Sequence, residues 1–156
     1  MSDFYSIDMF APRVSIGYLL RRVNKLSIAR VEAAFDGNAI TFTQWVVLAL
    51  VSFDIATTCT ELSRNMDHDK GALTRVIDQL EERGLIERRR DVGDRRVSQL
   101  TVTAKGREIV TDLARRVVDV WNDILHDFDR EEIEQLIGTL GKLLARLDPS
   151  DPQAEQ

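Results

Sequence analysis

The chain has one cysteine, Cys59, among 156 residues. No internal disulfide can form, which excludes a small scaffold held together by disulfides. Three prolines and eight glycines leave no room for a long linker or a low-complexity segment, and no internal repeat is present. No run of roughly 18 apolar residues suggests a membrane span. Residues 1–14 carry Asp3, Asp8 and Pro12 and lack the apolar core of a signal peptide. Together with the lone thiol, these absences predict a cytoplasmic protein. Signatures of catalysis are missing as well: no Gly-rich phosphate loop, no nucleophile elbow and no His-Glu-x-x-His pattern. His68 and His126 stand far apart and without metal-ligand spacing. No metal, no cofactor and no enzymatic activity are expected.

Other quantities are ordinary for a folded protein: 44% hydrophobic and 30% charged residues. The length fits one domain, or a small domain with helical extensions that need a partner. A net charge of −5 argues at first against a nucleic-acid partner, but its distribution matters more. Between Thr60 and Val110 there are eleven basic and ten acidic residues, leaving ten basic and sixteen acidic for the rest. Within Arg83–Arg96, six arginines face only Glu87, Asp91 and Asp94. An acidic frame thus carries a locally basic edge, and the salt-dependent part of any DNA affinity would rest on a few arginines.

Apolar spacing predicts a long helix over 13–36, with Val14, Leu20, Val23 and Leu26 on its stripe and Ile16, Leu19 and Val31 beside them. Asp36-Gly37-Asn38 stops it. Thr41-x-x-Gln44 and Thr58-x-x-Glu61 have the form of capping boxes. They open helices running to about Phe53 and Met66. Asp69 caps a helix that ends at Gly84. Residues 85–90 and 96–102 then read as two strands around an Asp91–Asp94 turn. A further helix starts at Thr103, with Ile109, Leu113, Val117, Val120 and Ile124 at helical spacing. Asp129-x-x-Glu132 caps the last, whose stripe runs from Ile133 through Leu136, Ile137, Leu140, Leu143 and Leu144 to Leu147 before Pro149 and Pro152.

The expected fold class is mainly α with a small β-wing: a winged helix-turn-helix flanked by long dimerisation helices. The expected division is an N-terminal extension (1–12), a body (13–147) and a tail (148–156). Within the body, dimerisation helices at 13–36 and 104–147 flank a DNA-binding lobe at 41–103. The long terminal stripes are hard to bury against so small a core, and packing them on a second copy is the simplest remedy. A homodimer carries two reading helices and so fits a near-palindromic double-stranded operator.

In the helix at 70–83 the expected buried set is Leu73, Val76, Ile77 and Leu80. Lys70, Gly71, Ala72, Thr74 and Arg75 then lie on or beside the outward face near its start. Arg75 has the reach for a bidentate contact to guanine O6 and N7, worth about 1–3 kcal/mol of discrimination. Thr74 suits a thymine methyl or a phosphate, and small Gly71 and Ala72 allow close approach to the groove. Asp69 is expected to satisfy helix N–H groups. The plainer alternatives are an amphipathic helix with a solvated polar face and a solvated hairpin. Asn65 and His68 either reach phosphates or cap locally. Cys59 is either a small buried side chain or a redox sensor, and the first is preferred.

From Leu62 to Gly106, with Asp91-Val92-Gly93-Asp94-Arg95-Arg96, Thr103-x-x-Gly106 and Thr43-Gln44-Trp45, the chain resembles the MarR family of bacterial transcription regulators. The likeness covers roughly residues 13–147. Where the family often has leucine before the threonine of the helix start, this chain has Val102, a conservative change. The resemblance implies that Arg95 enters the minor groove and that Asp94 orients an arginine by ion pairing. It makes Arg88, Arg89, Arg90 and Arg96 candidates for backbone contacts, though alternation along a strand prevents all of them from facing DNA. It also implies a cleft for a small aromatic or phenolic anion. The candidates there are Trp45, Phe42, Phe53 and Tyr18, with Arg22 as the anion's partner; each also reads as core. The implied function is a homodimeric transcriptional regulator, a repressor released by a small molecule. The rival reading is a winged-helix protein-interaction module without specific DNA binding.

Overall fold

A computed structural model describes residues 4–9, 11–37, 39–90 and 98–148. They fall into two compact units, Met1–Val118 and Asp119–Gln156. In the first, short 3-10 turns at Ile7–Met9 and Pro12–Val14 precede α1 (Ile16–Ala34). The helix begins later than the apolar spacing predicts because Ser15 is its N-cap. The Ser15 hydroxyl accepts from Tyr18 N–H at 3.4 Å and donates to the Pro12 carbonyl at 2.8 Å, which separates the turn from the helix. Gly37, at φ +81°, follows the C-cap Phe35 and takes a backbone conformation that L side chains rarely adopt. Along α1 only Ser27 and Val31 are buried; Leu19, Leu20, Val23 and Leu26 remain between 43% and 57% exposed.

The helices α2 (Phe42–Ser52) and α3 (Cys59–Met66) open on the two capping boxes, with both reciprocal bonds made in each. α4 (Lys70–Glu82) starts where Asp69 accepts from the N–H groups of Gly71 and Ala72. Leu48, Leu62, Leu73, Ile77, Leu80, Leu85, Ile86 and Leu113 are fully buried and form the core of this unit. Val76, expected among them, is only half-buried. At about 100° per residue, positions 73, 77 and 80 lie within one narrow stripe, whereas 76 falls on its flank. Gly84, at φ +68°, ends α4 in a Schellman arrangement. Leu85 N–H bonds to the Leu80 carbonyl at 2.9 Å and Gly84 N–H to the Glu81 carbonyl at 2.8 Å.

The wing is an antiparallel pair, β1 (Ile86–Arg90) and β2 (Ser98–Val102), in the register Ile86↔Val102, Arg88↔Leu100, Arg90↔Ser98. Leu85 is held in the helix stop, so β1 begins one residue after the predicted start. The tip, including the predicted Asp91–Asp94 turn, lies outside the described residues. Leu100 N–H also bonds to the Thr57 carbonyl at 2.7 Å, which ties β2 to the segment before α3. From β2 the chain enters α5 (Ala104–Ile124) through Thr103, whose hydroxyl donates to the Gly84 carbonyl at 2.8 Å and accepts from Gly106 N–H at 3.1 Å. A Cβ at Gly106 would stand 2.3 Å from the Leu85 carbonyl oxygen. The Thr103-x-x-Gly106 motif is therefore a packing device, with the threonine bridging two helix ends and the glycine permitting their contact.

The second unit holds the end of α5 and α6 (Arg130–Leu147). Asp129 and Glu132 form the predicted capping box. The predicted stripe is present, yet no residue of α6 is buried, and Leu136, Ile137, Leu140, Leu144 and Leu147 are all exposed.

Candidate nucleic-acid interface

α3 and α4 are joined by Asp67 and His68. Asp67 adopts the left-handed conformation at φ +49°, and Ser63 Oγ donates to the His68 carbonyl at 2.6 Å. His68 Nδ1 lies 2.6 Å from the Met66 carbonyl, and Asn65 Nδ2 donates to the Glu61 carbonyl at 3.0 Å. Asn65 and His68 thus each make a local backbone contact.

At the start of α4, one oxygen of Asp69 accepts from Gly71 N–H at 2.9 Å and Ala72 N–H at 3.0 Å. Buried Leu73, Ile77 and Leu80 fix the inward face, so Lys70, Gly71, Ala72, Thr74 and Arg75 are all exposed. Among the described residues no carboxylate pairs with Lys70 or Arg75. Thr74 donates to the Lys70 carbonyl at 2.7 Å, which fixes its rotamer. Cys59 Sγ lies 3.7 Å from Thr74 Oγ1 and 3.9 Å from the Lys70 carbonyl. The thiol is half-buried, against the expectation of a buried side chain, because α3 lays it on the first turn of α4 rather than in the core.

Glu61 supports the same corner. Its carboxylate is held below the usual carboxylate range, first by Thr57 N–H, then by the hydroxyl and N–H of Thr58 and the hydroxyl of Thr57, with partial burial opposing. The two N–H distances are 2.8 and 2.9 Å.

The wing arginines divide by face. Arg89 is exposed and lies 3.6 Å from Glu87. Arg88 turns instead to α4, where it bonds to Asp78 and reaches Glu81 at 3.4 Å. The physical reason for this engagement is strand alternation, since Arg88, one of the backbone-contact candidates, shares a face with buried Ile86. The side chain of Arg90 and the whole of Asp94, Arg95 and Arg96 lie outside the described residues. The wing, α3 and α4 border a cleft of about 670 Å³ lined by Cys59, Glu61, Arg64, Thr74, Arg88 and Gln99, among others.

The effector candidates are only partly brought together. Phe42 and Trp45 meet at 6.0 Å between ring centroids, and Phe35, which sequence reasoning missed, joins them at 6.2 and 5.7 Å. Trp45 Nε1 donates to the Val110 carbonyl at 3.4 Å. Phe53 sits at the far end of α2, roughly 16 Å along the helix axis from Phe42, and is 69% exposed. Tyr18 and Arg22 lie one turn apart on exposed α1, and among the described residues no ring contact joins Tyr18 to the cluster. A separate cleft of about 300 Å³ is lined by Ala39, Ile40, Arg83, Glu108, Ile109, Asp112 and Leu113, none of them predicted.

Sequence reasoning also missed Asp78 and Glu81, which meet Arg88 of β1, and Gln79, which meets Gln44 of α2; each partner comes from another element, so no local signal marks them.

Residues 40–98 match the model of the MarR family. Wild-type MarR from E. coli in its apo form is similar at a TM-score of 0.74 and 26% identity, over 84% of this chain and 97% of that one. A MarR-family transcriptional regulator from Rhodococcus sp. RHA1 is similar at 0.73 and 26%, over 82% and 91%. CouR from Rhodococcus jostii RHA1, solved bound to p-coumaroyl-CoA, is similar at 0.72 and 26%, over 85% and 94%. No helix among the described residues is long and apolar enough to cross a membrane. The matched residues hold α2, α3, α4 and β1, the elements that carry the exposed Lys70–Arg75 face. The fold of this chain is the MarR winged helix, and its residues 40–98, which hold the candidate interface, are similar to the MarR family model.

Proposed function

We propose that the chain is a homodimeric, sequence-specific DNA-binding transcriptional regulator, a repressor released by a small-molecule effector. The observation that carries this reading is the outward face of α4, where Lys70, Thr74 and Arg75 stand exposed at a helix start with small Gly71 and Ala72 beside them. A helix entering the major groove needs such an end: short side chains for approach, a guanidinium for guanine and a hydroxyl for backbone or methyl. Arg75 reads a base, and Lys70 and Thr74 fix the register on the phosphates. Arg89, Arg90 and, beyond the described residues, Arg95 and Arg96 supply the flanking contacts, with Arg95 in the minor groove and Asp94 orienting an arginine by ion pairing.

The dimer is supported by the exposed apolar stripes of α1 and α6. Leucines left in water at that density favour association with a second copy. A small-molecule effector is supported by the similarity to CouR, which was solved with p-coumaroyl-CoA, and by the Phe35–Phe42–Trp45 cluster. Such a ligand releases DNA only if it prefers a geometry in which the two reading helices are wrongly spaced.

The test is a selection from random duplex DNA by the purified protein, with affinity and stoichiometry then measured on the winning sequence. A palindromic site bound by two copies is expected. If no sequence is enriched and binding is uniformly weak, the chain is the protein-interaction module instead.

A further inference from the structure

The contact between the wing and α4 bears on how the reading helix is held, and its role rests on the proposed DNA-binding function. In β1, Ile86 is 1% exposed, and Arg88, two residues on, shares its face. Glu87 and Arg89 alternate to the other side and pair with each other. Across the ribbon Arg88 stands opposite buried Leu100, so its aliphatic stem lies at the edge of the core and its head reaches α4. There it bonds Asp78 and, at 3.4 Å, approaches Glu81. A planar guanidinium can serve two carboxylates at once, which the point charge of a lysine does poorly. Asp78 lies four residues after Thr74 and three after Arg75, and so extends their row by one helical turn. Unneutralised carboxylates on that row would meet the phosphates of a docked duplex as like charges.

We propose that Arg88 is a positioning residue for DNA recognition: it clamps the wing to α4 and screens Asp78 and Glu81 from phosphate, and does not itself contact the DNA backbone.

The experiment uses the full chain and a duplex that the wild type selects from a random pool, with Kd measured by fluorescence anisotropy over a range of salt. Arg88→Ala and Asp78→Asn are each expected to weaken binding about tenfold, within the coupling seen between touching residues. The double variant should lose no more than the worse single. The Asp78 arm is the sharper one, since removing a carboxylate near phosphates would by charge alone tighten binding. In all three variants the slope of log Kd against log salt should stay at the wild-type value; loss of a phosphate contact would lower it by about one. Arg88→Lys, which keeps the charge and covers the case of an alanine variant that melts early, should recover only part of the affinity. A slope lowered by about one in Arg88→Ala, wild-type or tighter binding by Asp78→Asn, additive losses in the double variant, or full affinity in Arg88→Lys overturns the proposal. A wild-type protein that selects no duplex overturns the DNA-binding reading, and the role of Arg88 falls with it.

Discussion

Gln44 Nε2 donates to Gln79 Oε1 at 3.0 Å, linking the first turn of α2 to the third turn of α4. The same Gln44 side chain accepts from Thr41 N–H at 3.1 Å and completes the α2 capping box. It is only 8% exposed, so both ends of its amide are satisfied where water is scarce. Truncating it removes a cap and leaves Gln79 without that partner. Gln44→Ala is expected to cost about 1–3 kcal/mol of stability and Gln79→Ala about 1 kcal/mol. A double-mutant cycle by urea unfolding should show a coupling of at least about 0.5 kcal/mol; strict additivity would remove the link.

Gly106→Ala should be costly despite its small size. The added methyl meets backbone, the Leu85 carbonyl at 2.3 Å, as well as Val102 Cγ1 at 2.6 Å. Neither lies at the end of a flexible side chain, so the α4 stop or α5 must shift. A loss of about 1–3 kcal/mol or more is expected, as for other forced overpacking. A melting temperature equal to wild type would show that the elements part freely.

Acid should loosen the corner at α3. Glu61 is held below its ordinary pKa by the N–H groups and hydroxyls of Thr57 and Thr58. A carboxyl whose folded pKa is depressed contributes stability above its unfolded pKa and loses it as pH falls through the folded value. Glu61→Ala should therefore be less stable than wild type at about pH 7, with the gap narrowing below about pH 4. Chemical unfolding of both proteins across that range is the measurement; a gap that widens in acid would reverse the sign of the assignment.

On DNA, Arg75→Ala should lose base preference at one position of each half-site, at about 1–3 kcal/mol of discrimination. Arg95→Ala should weaken binding and lower the salt slope by about one. Competition binding against single-base variants of the selected duplex separates the two patterns.

Leu140→Asp on α6 and Val23→Asp on α1 place a charge in each exposed apolar stripe. If those stripes meet a second copy, sedimentation should show each variant shifted toward monomer, with weaker DNA binding following from the loss of paired half-sites. Two intact dimers would assign the stripes elsewhere.

What sequence reasoning reached depended on range. The capping boxes at Thr41, Thr58 and Asp129 were legible because each lies within four residues and its chemistry is local. Gly84 was legible as a stop for the same reason. The start of α1 was not, because Val14 and Ile16 both fit an apolar stripe and only the bonds of Ser15 separate turn from helix. Val76 fitted the hydrophobic pattern but falls on the flank of the stripe that the core selects. The wing was legible as two strands, yet the direction of Arg88 depends on which face of the ribbon meets α4, a tertiary fact. The effector residues were the least legible. Aromatics scattered through a sequence carry no mark of which ones share a site, and Phe35 joins the cluster while Phe53 stands apart.

The Thr103 hydroxyl gives one hydrogen bond to the exit of α4 and takes one from the first turn of α5. Neither helix end can swivel independently without breaking that bridge, and Gly106 leaves no slack for slippage. The exit of α4 and the base of α5 are accordingly coupled. A displacement of the base of α5 would be passed on to α4, the helix proposed to read DNA, and hydrogen exchange at the Gly106 amide should stay slow while the bridge holds.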